Sequence, residues 1–167
     1  SRTSVCSGVG DKTLAHALQV YADASVYGGA FGADFAAASR EFFDQVRSGR
    51  FRLFTSVVVA DEMQDAPERV LTLFDEMRRL AEDVEVTPQA IELRQAYLAA
   101  GIVGDKWRTD ALHVALATTS QCTVIVSWNF KHIVHFEKIP LYNGVNLARG
   151  YHVIAIHTPQ EVIAHED

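Results

Sequence analysis

The chain has 167 residues and a formal net charge of −6, and 49% of its residues are hydrophobic. A chain of this length favours a single domain that buries roughly two-thirds of its unfolded surface and needs no disulfide or metal to fold. The negative charge excludes proteins that coat nucleic acid by charge alone, but not an enzyme in which a bound cation meets the substrate.

No apolar run approaches the ~20 residues of a membrane-spanning helix, and no membrane partner is expected. The two cysteines, Cys6 and Cys122, lack the spacing of a zinc or redox motif. Such low cysteine content favours the reducing cytoplasm as the location. Residues 1–17 are predicted to be an irregular arm, and residues 18–167 a single domain.

Short apolar, β-branched segments alternate with segments of helical periodicity along the chain. In the first half, strands are predicted at 18–23 and 51–56, and helices at 34–49, after 57 and from 67. In the second half, strands are predicted at 84–87, 122–127 and 151–158, and helices at 88–101 and 105–120. This alternation predicts an α/β domain with a mostly parallel central sheet.

Four polar side chains lie at or near predicted strand–helix junctions: Asp23, Glu62, Asp110 and Asn129. The carboxyl ends of parallel strands line the ligand crevice of such sheets, so these residues can converge. Carboxylate and amide oxygens are the ligands that Mg²⁺ and Mn²⁺ prefer. The set is therefore a candidate metal site.

Each member of this set also has a purely structural interpretation. Asp23 is equally typical of a helix cap or turn, and Asn129 of a turn. Glu62 has neighbouring acidic rivals in Asp61 and Asp65. An acid in the first turn of a helix, such as Asp110, is also favoured by the helix dipole. Composition and spacing alone therefore favour the structural interpretation.

The order of four segments resembles that of the PIN-domain ribonucleases. These segments are "VYADASVYGG", "FTSVVVADEM", "TDALHVALAT" and "VIVSWNFKHIV", and the resemblance spans about residues 19–163. It implies a three-layer α/β/α fold and hydrolysis of RNA that depends on Mg²⁺ or Mn²⁺. Many bacterial members resemble VapC-like toxins of toxin–antitoxin pairs, so an antitoxin partner and a homodimer are further expectations.

Carried over position by position, the resemblance implies metal-ligating and catalytic roles for Asp23, Glu62 and Asp110, with Ser25 supporting Asp23. Asn129 stands where many family members have aspartate. It is expected to assist through its amide oxygen, and the change weakens the expectation of a second metal ion. The glycine pair after Asp23 is expected to leave room for a phosphate.

Three cationic residues flank these motifs and are predicted to contact the RNA backbone: Lys106, Arg108 and Lys131. Trp107, Trp128 and Tyr27 either stack on bases or pack within the protein. Two alternative functions stay open. One is a PIN-like scaffold that binds RNA or protein without strong catalysis, and the other is a metal-dependent phosphohydrolase or DNA nuclease.

Overall fold

The computed structural model describes residues 17–164, which form one five-stranded parallel sheet flanked by helices. The strands are β1 (Leu18–Ala22), β2 (Phe51–Ser56), β3 (Glu82–Val84), β4 (Val124–Val126) and β5 (Ala155–His157). The helices are α1 (Ala24–Gly29), α2 (Ala36–Arg47), α3 (Val57–Glu62), α4 (Glu68–Leu80), α5 (Pro88–Ala99), α6 (Arg108–Thr119), α7 (Lys138–Ala148) and α8 (Pro159–Val162). The predicted α/β class with a parallel sheet is confirmed.

The strand order, β3-β2-β1-β4-β5, places β1 at the centre of the sheet. The chain moves outward from β1 through β2 to β3 and then returns to the other side of β1 to form β4 and β5. Ala22 pairs with Val126, so β1 and β4 end at the same level of the sheet. A crevice is expected at the carboxyl ends of the strands where the order reverses, here between β1 and β4.

The core is built around β1, whose Val20, Tyr21 and Ala22 have no solvent exposure. Ile125 and Val126 of β4 are equally buried beside them. Because both faces of these strands are covered by helices, their residues are apolar in a continuous run rather than alternating with polar ones. This buried centre fixes the positions of the carboxyl ends of β1 and β4 and of the residues that follow them.

The third strand lies two residues earlier than the sequence predicted, at Glu82–Val84 instead of 84–87. The hydroxyl of Thr87 accepts a hydrogen bond from the Ala90 N–H, and Pro88 occupies the first turn of α5. Thr87 is therefore the N-cap of that helix, and the segment 85–87 leads into the helix rather than pairing in the sheet.

Helix α7 was not predicted, because Pro140 and Gly144 give its segment weak helical character. Its formation rests on tertiary contacts, since Tyr142 and Asn146 are fully buried. The Tyr142 hydroxyl donates to the carbonyl of His132 at 2.7 Å and so ties this helix to the turn after β4.

Within residues 17–164, no helix is both long and apolar enough to cross a bilayer. The predicted N-terminal arm lies outside the described residues except for Ala17.

Candidate functional site

Asp23 stands between β1 and α1 and is held by serines on two sides. Its side chain is the N-cap of α1: Oδ1 accepts hydrogen bonds from the backbone N–H of Ser25 at 3.0 Å and from the Ser25 hydroxyl at 2.5 Å. Oδ2 accepts a hydrogen bond from the Ser127 hydroxyl at 2.6 Å. With only 4% of its surface exposed, the carboxylate has a fixed orientation.

Ser127, which the sequence analysis did not select, joins the ends of β1 and β4. It follows β4 directly, donates to Asp23, and its oxygen accepts the backbone N–H of Asn129 at 2.9 Å. The Ser25 hydroxyl oxygen in turn accepts the N–H of Trp128 at 2.9 Å. The position of Ser127 directly after a β-branched segment is the only sequence signal for this contact, and serines occupy the same position in many ordinary turns.

His113 is the second residue that sequence reasoning missed, although it lies within the quoted segment "TDALHVALAT". It is 1% exposed, and its Nε2 lies 2.6 Å from Oε1 of Glu62. Its Nδ1 lies 2.8 Å from the Tyr21 hydroxyl, which is also 2.8 Å from Oγ of Ser56. A histidine three positions after Asp110 lies on the same helix face, which is the spacing that indicates its role.

The charges of Asp23, Glu62 and Asp110 all act on His113. Burial by itself would lower the pKa of His113, but the hydrogen bond to Glu62 and the three negative charges raise it above its usual range. The charges of the three acids therefore act on one buried imidazole, which offsets part of their charge when it is protonated.

The buried carboxylate of Asp23 is costly to ionise. Burial raises the pKa of Asp23, and the nearby charge of Glu62 adds to this effect. The charge of His113 and the hydrogen bonds from Ser127 and Ser25 act in the opposite direction without cancelling it. A further cation beside Asp23 would favour the charged form of this carboxyl.

Asp110 lies in the first turn of α6 and is half-buried. Burial raises the pKa of Asp110, whereas a hydrogen bond with the Asn129 side chain and the charges of His132 and His113 lower it. The Asn129 oxygen Oδ1 already accepts the backbone N–H groups of Lys131 at 3.2 Å and of His132 at 3.0 Å. The amide nitrogen is then the end of Asn129 that is left to interact with Asp110, and Asn129 both closes the turn after β4 and favours the charged form of that carboxylate.

The oxygen donors of this site are of the kind that Mg²⁺ or Mn²⁺ prefers. A nearby cation would also offset the effect of burial, which raises the pKa of Asp23 and Asp110. Across residues 17–164, however, no three His, Cys, Asp or Glu side chains are gathered at positions that would hold a metal ion together. Glu62 and Asp23 instead face protein donors, namely His113 and the two serines. The charges of the three acids all act on His113, but within residues 17–164 the acids are not arranged as a set of metal ligands.

The space beside Gly29 is filled by the protein itself. A Cβ at this position would lie 2.8 Å from two atoms of the Trp128 indole and 2.9 Å from the Ser39 hydroxyl oxygen. The expectation that the glycine pair leaves room for a phosphate is therefore wrong for Gly29. The glycine instead permits close packing of Trp128, whose Nε1 donates to Ser39 at 2.9 Å.

The three candidate aromatic residues differ in exposure. Tyr27 is fully buried in the core, and Trp128 is partly buried and stacked on Phe35 with ring centroids 4.1 Å apart. Trp107 is 40% exposed. Of these three, Trp107 is the one with an accessible ring.

The three candidate cations for the RNA backbone, Lys106, Arg108 and Lys131, are all exposed. Lys106 and Arg108 lie in and just after the 3₁₀ turn Asp105–Trp107, which leads into α6. Arg108 lies 3.5 Å from the Asp105 carboxylate. All three cations thus stand on the two segments that carry Asp110 and Asn129.

No protein-family model and no curated protein matches the sequence. The structure, in contrast, is similar to a chain in the crystal structure of VapBC2 from Rickettsia felis bound to a DNA fragment from their promoter. The TM-score is 0.55 at 13% sequence identity, and the alignment covers 84% of this chain and 98% of that chain. At this identity the similarity concerns the fold, and it is consistent with a PIN-like arrangement of the five-stranded parallel sheet.

Proposed function

We propose that this protein is an endoribonuclease that hydrolyses RNA phosphodiester bonds with the help of Mg²⁺ or Mn²⁺, and that it acts as the toxin of a toxin–antitoxin pair. The observation that carries the proposal is the contact of Glu62 with the buried His113 at 2.6 Å, together with the charges of Asp23 and Asp110 that act on the same imidazole. Acidic side chains that act on one buried imidazole beside the carboxyl ends of the central strands are a costly arrangement, and such arrangements are typical of functional sites.

The fold supports the same proposal from an independent direction. The similar solved structure contains VapBC2, and the sequence segments that resemble PIN-domain ribonucleases are those that supply the site. For this chain we accordingly propose an antitoxin protein as a partner, RNA as the substrate, a homodimer as the assembly, and the cytoplasm as the location.

In the proposed reaction, Asp23, Glu62 and Asp110 hold the divalent ion, beside Asn129. When bound, the ion lowers the pKa of a water molecule and offsets the negative charge that develops on the phosphate. The protein side chains determine the positions of these ligands. Ser25 and Ser127 orient Asp23 through the hydrogen bonds described above.

His113 and Asn129 have corresponding tasks for the other two acids. His113 holds the Glu62 carboxylate at the end of α3, and Asn129 favours the charged form of Asp110. Lys106, Arg108 and Lys131 bind the RNA backbone outside the acidic centre, where the carboxylates would repel the phosphates. Each residue of the set thereby has a distinct function in binding or positioning.

The test is cleavage of a structured RNA with and without Mn²⁺. Asp23→Asn and Asp110→Asn should each abolish the Mn²⁺-dependent cleavage while leaving the melting temperature unchanged or raised. Asp75→Asn, which alters an exposed carboxylate on α4, is the matched control and should cleave as the parent does. Cleavage by both site variants at the parent rate would overturn the proposal.

A second candidate function is a PIN-like scaffold that binds RNA or protein without catalysis. The observation that favours it is that, among the described residues, Glu62 and Asp23 are satisfied by histidine and serine donors, and the acids are not gathered as metal ligands. Titration calorimetry with Mn²⁺ separates the two, because a scaffold of this kind has no site for the ion. Parallel assays on DNA and nucleotides would reveal a different phosphohydrolase.

A further inference from the structure

We propose that the stacked rings of Trp107 and His132 form a binding platform for one unpaired nucleobase of the RNA, beside the acidic site. The inference rests on the proposed function, since it names how the substrate is held next to the bond that is cut. It predicts a preference for single-stranded RNA, because a paired base does not present a free face to the platform.

The platform is attached to the acidic site by both of its rings. Trp107 ends the 3₁₀ turn before α6, three residues ahead of Asp110. Its ring lies on that of His132, with centroids 4.4 Å apart and an interplanar angle of 25°. His132 belongs to the turn after β4, where its backbone N–H donates to Asn129. Each ring of the platform is therefore three residues from a site residue: Trp107 from Asp110, and His132 from Asn129.

A lone exposed tryptophan is not evidence of a binding site, but this ring is held in place. Both ring nitrogens of His132 are shielded from solvent and lack a hydrogen-bond partner within residues 17–164. The imidazole therefore lies flat behind the indole and uses neither nitrogen in a competing hydrogen bond among these residues. The His132 carbonyl accepts a hydrogen bond from the buried Tyr142, which fixes the turn that carries the ring. A fixed aromatic face binds a base with little loss of conformational entropy.

The charges around the platform suit a nucleic acid strand. The ammonium of Lys106 lies 5.2 Å from the centre of the Trp107 ring, and the exposed Lys131 and Arg108 are adjacent in sequence to the two platform residues. The long, exposed Lys106 side chain can leave the ring and meet a phosphate when a base stacks there. Cations around an exposed aromatic face are the usual composition of single-strand binding surfaces.

The other tryptophan is not available for this role. Trp128 is covered on one face by Phe35, and its N–H is used by Ser39. The chain contains two tryptophans, so changes of tryptophan fluorescence that depend on Trp107 report directly on the platform.

The first experiment measures tryptophan fluorescence in EDTA, where cleavage cannot occur, during titration with a short single-stranded RNA. Quenching is expected for the wild-type protein and should disappear in Trp107→Phe, which retains Trp128 and an aromatic platform. An abasic strand of equal length and an RNA duplex should give little quenching. Equal quenching by the abasic strand would overturn the platform, because that strand offers phosphates without bases.

The second experiment measures affinity for the same RNA by fluorescence anisotropy of a labelled strand. Trp107→Leu should weaken binding roughly 5- to 150-fold, the range for loss of one stacked base, whereas Trp107→Phe should retain most of the affinity. Phe136→Leu is the matched control, since Phe136 is 91% exposed and stacks on no other ring in the described part of the chain. Equal losses for Trp107→Leu and Phe136→Leu, or none for Trp107→Leu, would overturn the inference.

These measurements separate failure of the platform from failure of the proposed activity. If Trp107-dependent binding is present but Mn²⁺-dependent cleavage is absent, the platform stands and the ribonuclease proposal fails. If the protein cleaves RNA but RNA binding neither changes the fluorescence of Trp107 nor depends on Trp107, the ribonuclease proposal stands and the platform fails.

Discussion

Nε2 of His113 lies 2.6 Å from Oε1 of Glu62, which joins the inward face of α6 to the end of α3. The other ring nitrogen is engaged by the Tyr21 hydroxyl from the central strand, and that hydroxyl also contacts Ser56. A continuous chain of side chains thus runs from β2 through β1 and α6 to Glu62. The orientation of the Glu62 carboxylate is determined by the core rather than by solvent.

Removing the hydroxyl of Tyr21 should disturb this chain at its centre. Tyr21→Phe leaves Nδ1 of His113 without its partner in the core and should lower the free energy of unfolding by about 1–3 kcal/mol. We also expect slower Mn²⁺-dependent cleavage, because His113 and with it Glu62 lose their fixed orientation. Urea denaturation and single-turnover cleavage measure the two effects.

Tyr97→Phe is the control for this change. The Tyr97 hydroxyl is also buried and donates to Asn146 at 2.5 Å, between α5 and α7. Its removal should cost a similar amount of stability and leave the cleavage rate unchanged. If both variants lose activity in parallel with stability, the Tyr21–His113 contact has no special effect on the site.

The raised pKa of Asp23 predicts a pH-dependent stability difference in metal-free buffer. Because burial raises its pKa in the folded protein, the protonated carboxyl is favoured by folding, and that stability is lost as the pH rises through the folded pKa. The amide of Asp23→Asn does not ionise. The variant should therefore gain stability relative to the wild type as the pH rises from ~4, the unfolded carboxyl range, and the gain should level off above the folded pKa.

Chemical denaturation at a series of pH values measures this difference. Asp75→Asn should show no comparable trend, since Asp75 is exposed on α4. A loss of stability of Asp23→Asn relative to the wild type as the pH rises would contradict the proposed cost of the buried charge.

The two glycines of α1 should respond oppositely to alanine. Gly29→Ala places a methyl group 2.8 Å from the Trp128 indole and should destabilise the protein by about 1–3 kcal/mol. At Gly28 no atom lies within 4 Å of an added Cβ, and Gly28→Ala should stabilise α1 by about 0.5–1 kcal/mol. Urea unfolding followed by tryptophan fluorescence distinguishes them, and equal effects would contradict the packing described for Trp128.

Asn129→Asp should make stability more dependent on metal. The substitution replaces a neutral amide that favours the charged form of Asp110 with a like charge, so the apo protein should become less stable. Mn²⁺ should then raise the melting temperature of the variant more than that of the wild type, because the ion binds a more acidic site. Thermal unfolding with and without Mn²⁺ tests this, and equal shifts in the two proteins would contradict a metal position near residue 129.

The sequence was most informative where local pattern and tertiary structure agree. The strand Phe51–Ser56 and the helix start at Pro88 were predicted at their observed positions, because alternation and a proline-led first turn determine them locally. The short helix α1 was missed. Its segment contains two glycines and a β-branched valine, and it folds as a helix because Asp23 caps it and the core covers Val26 and Tyr27.

Residues defined by long-range contacts were beyond prediction. The local sequence signals of His113 and Ser127 are weak, and each residue acquires its role from a partner far away in sequence. Asn129 was expected to offer its amide oxygen, but in the structure that oxygen closes a turn. Whether the oxygen or the nitrogen of an asparagine side chain faces a site depends on the local backbone geometry, which the composition does not reveal.

The hydrogen bond between Ser127 and Asp23 spans 104 positions of the chain. During synthesis, β1, β2 and β3 emerge well before α6 and β4, so the first acid is exposed long before its partners exist. Contacts of this separation form late and slowly. The site is thus completed only when the second half of the chain docks on β1, and a nascent or truncated protein that ends before β4 has Asp23 and Glu62 without the turn that orients them.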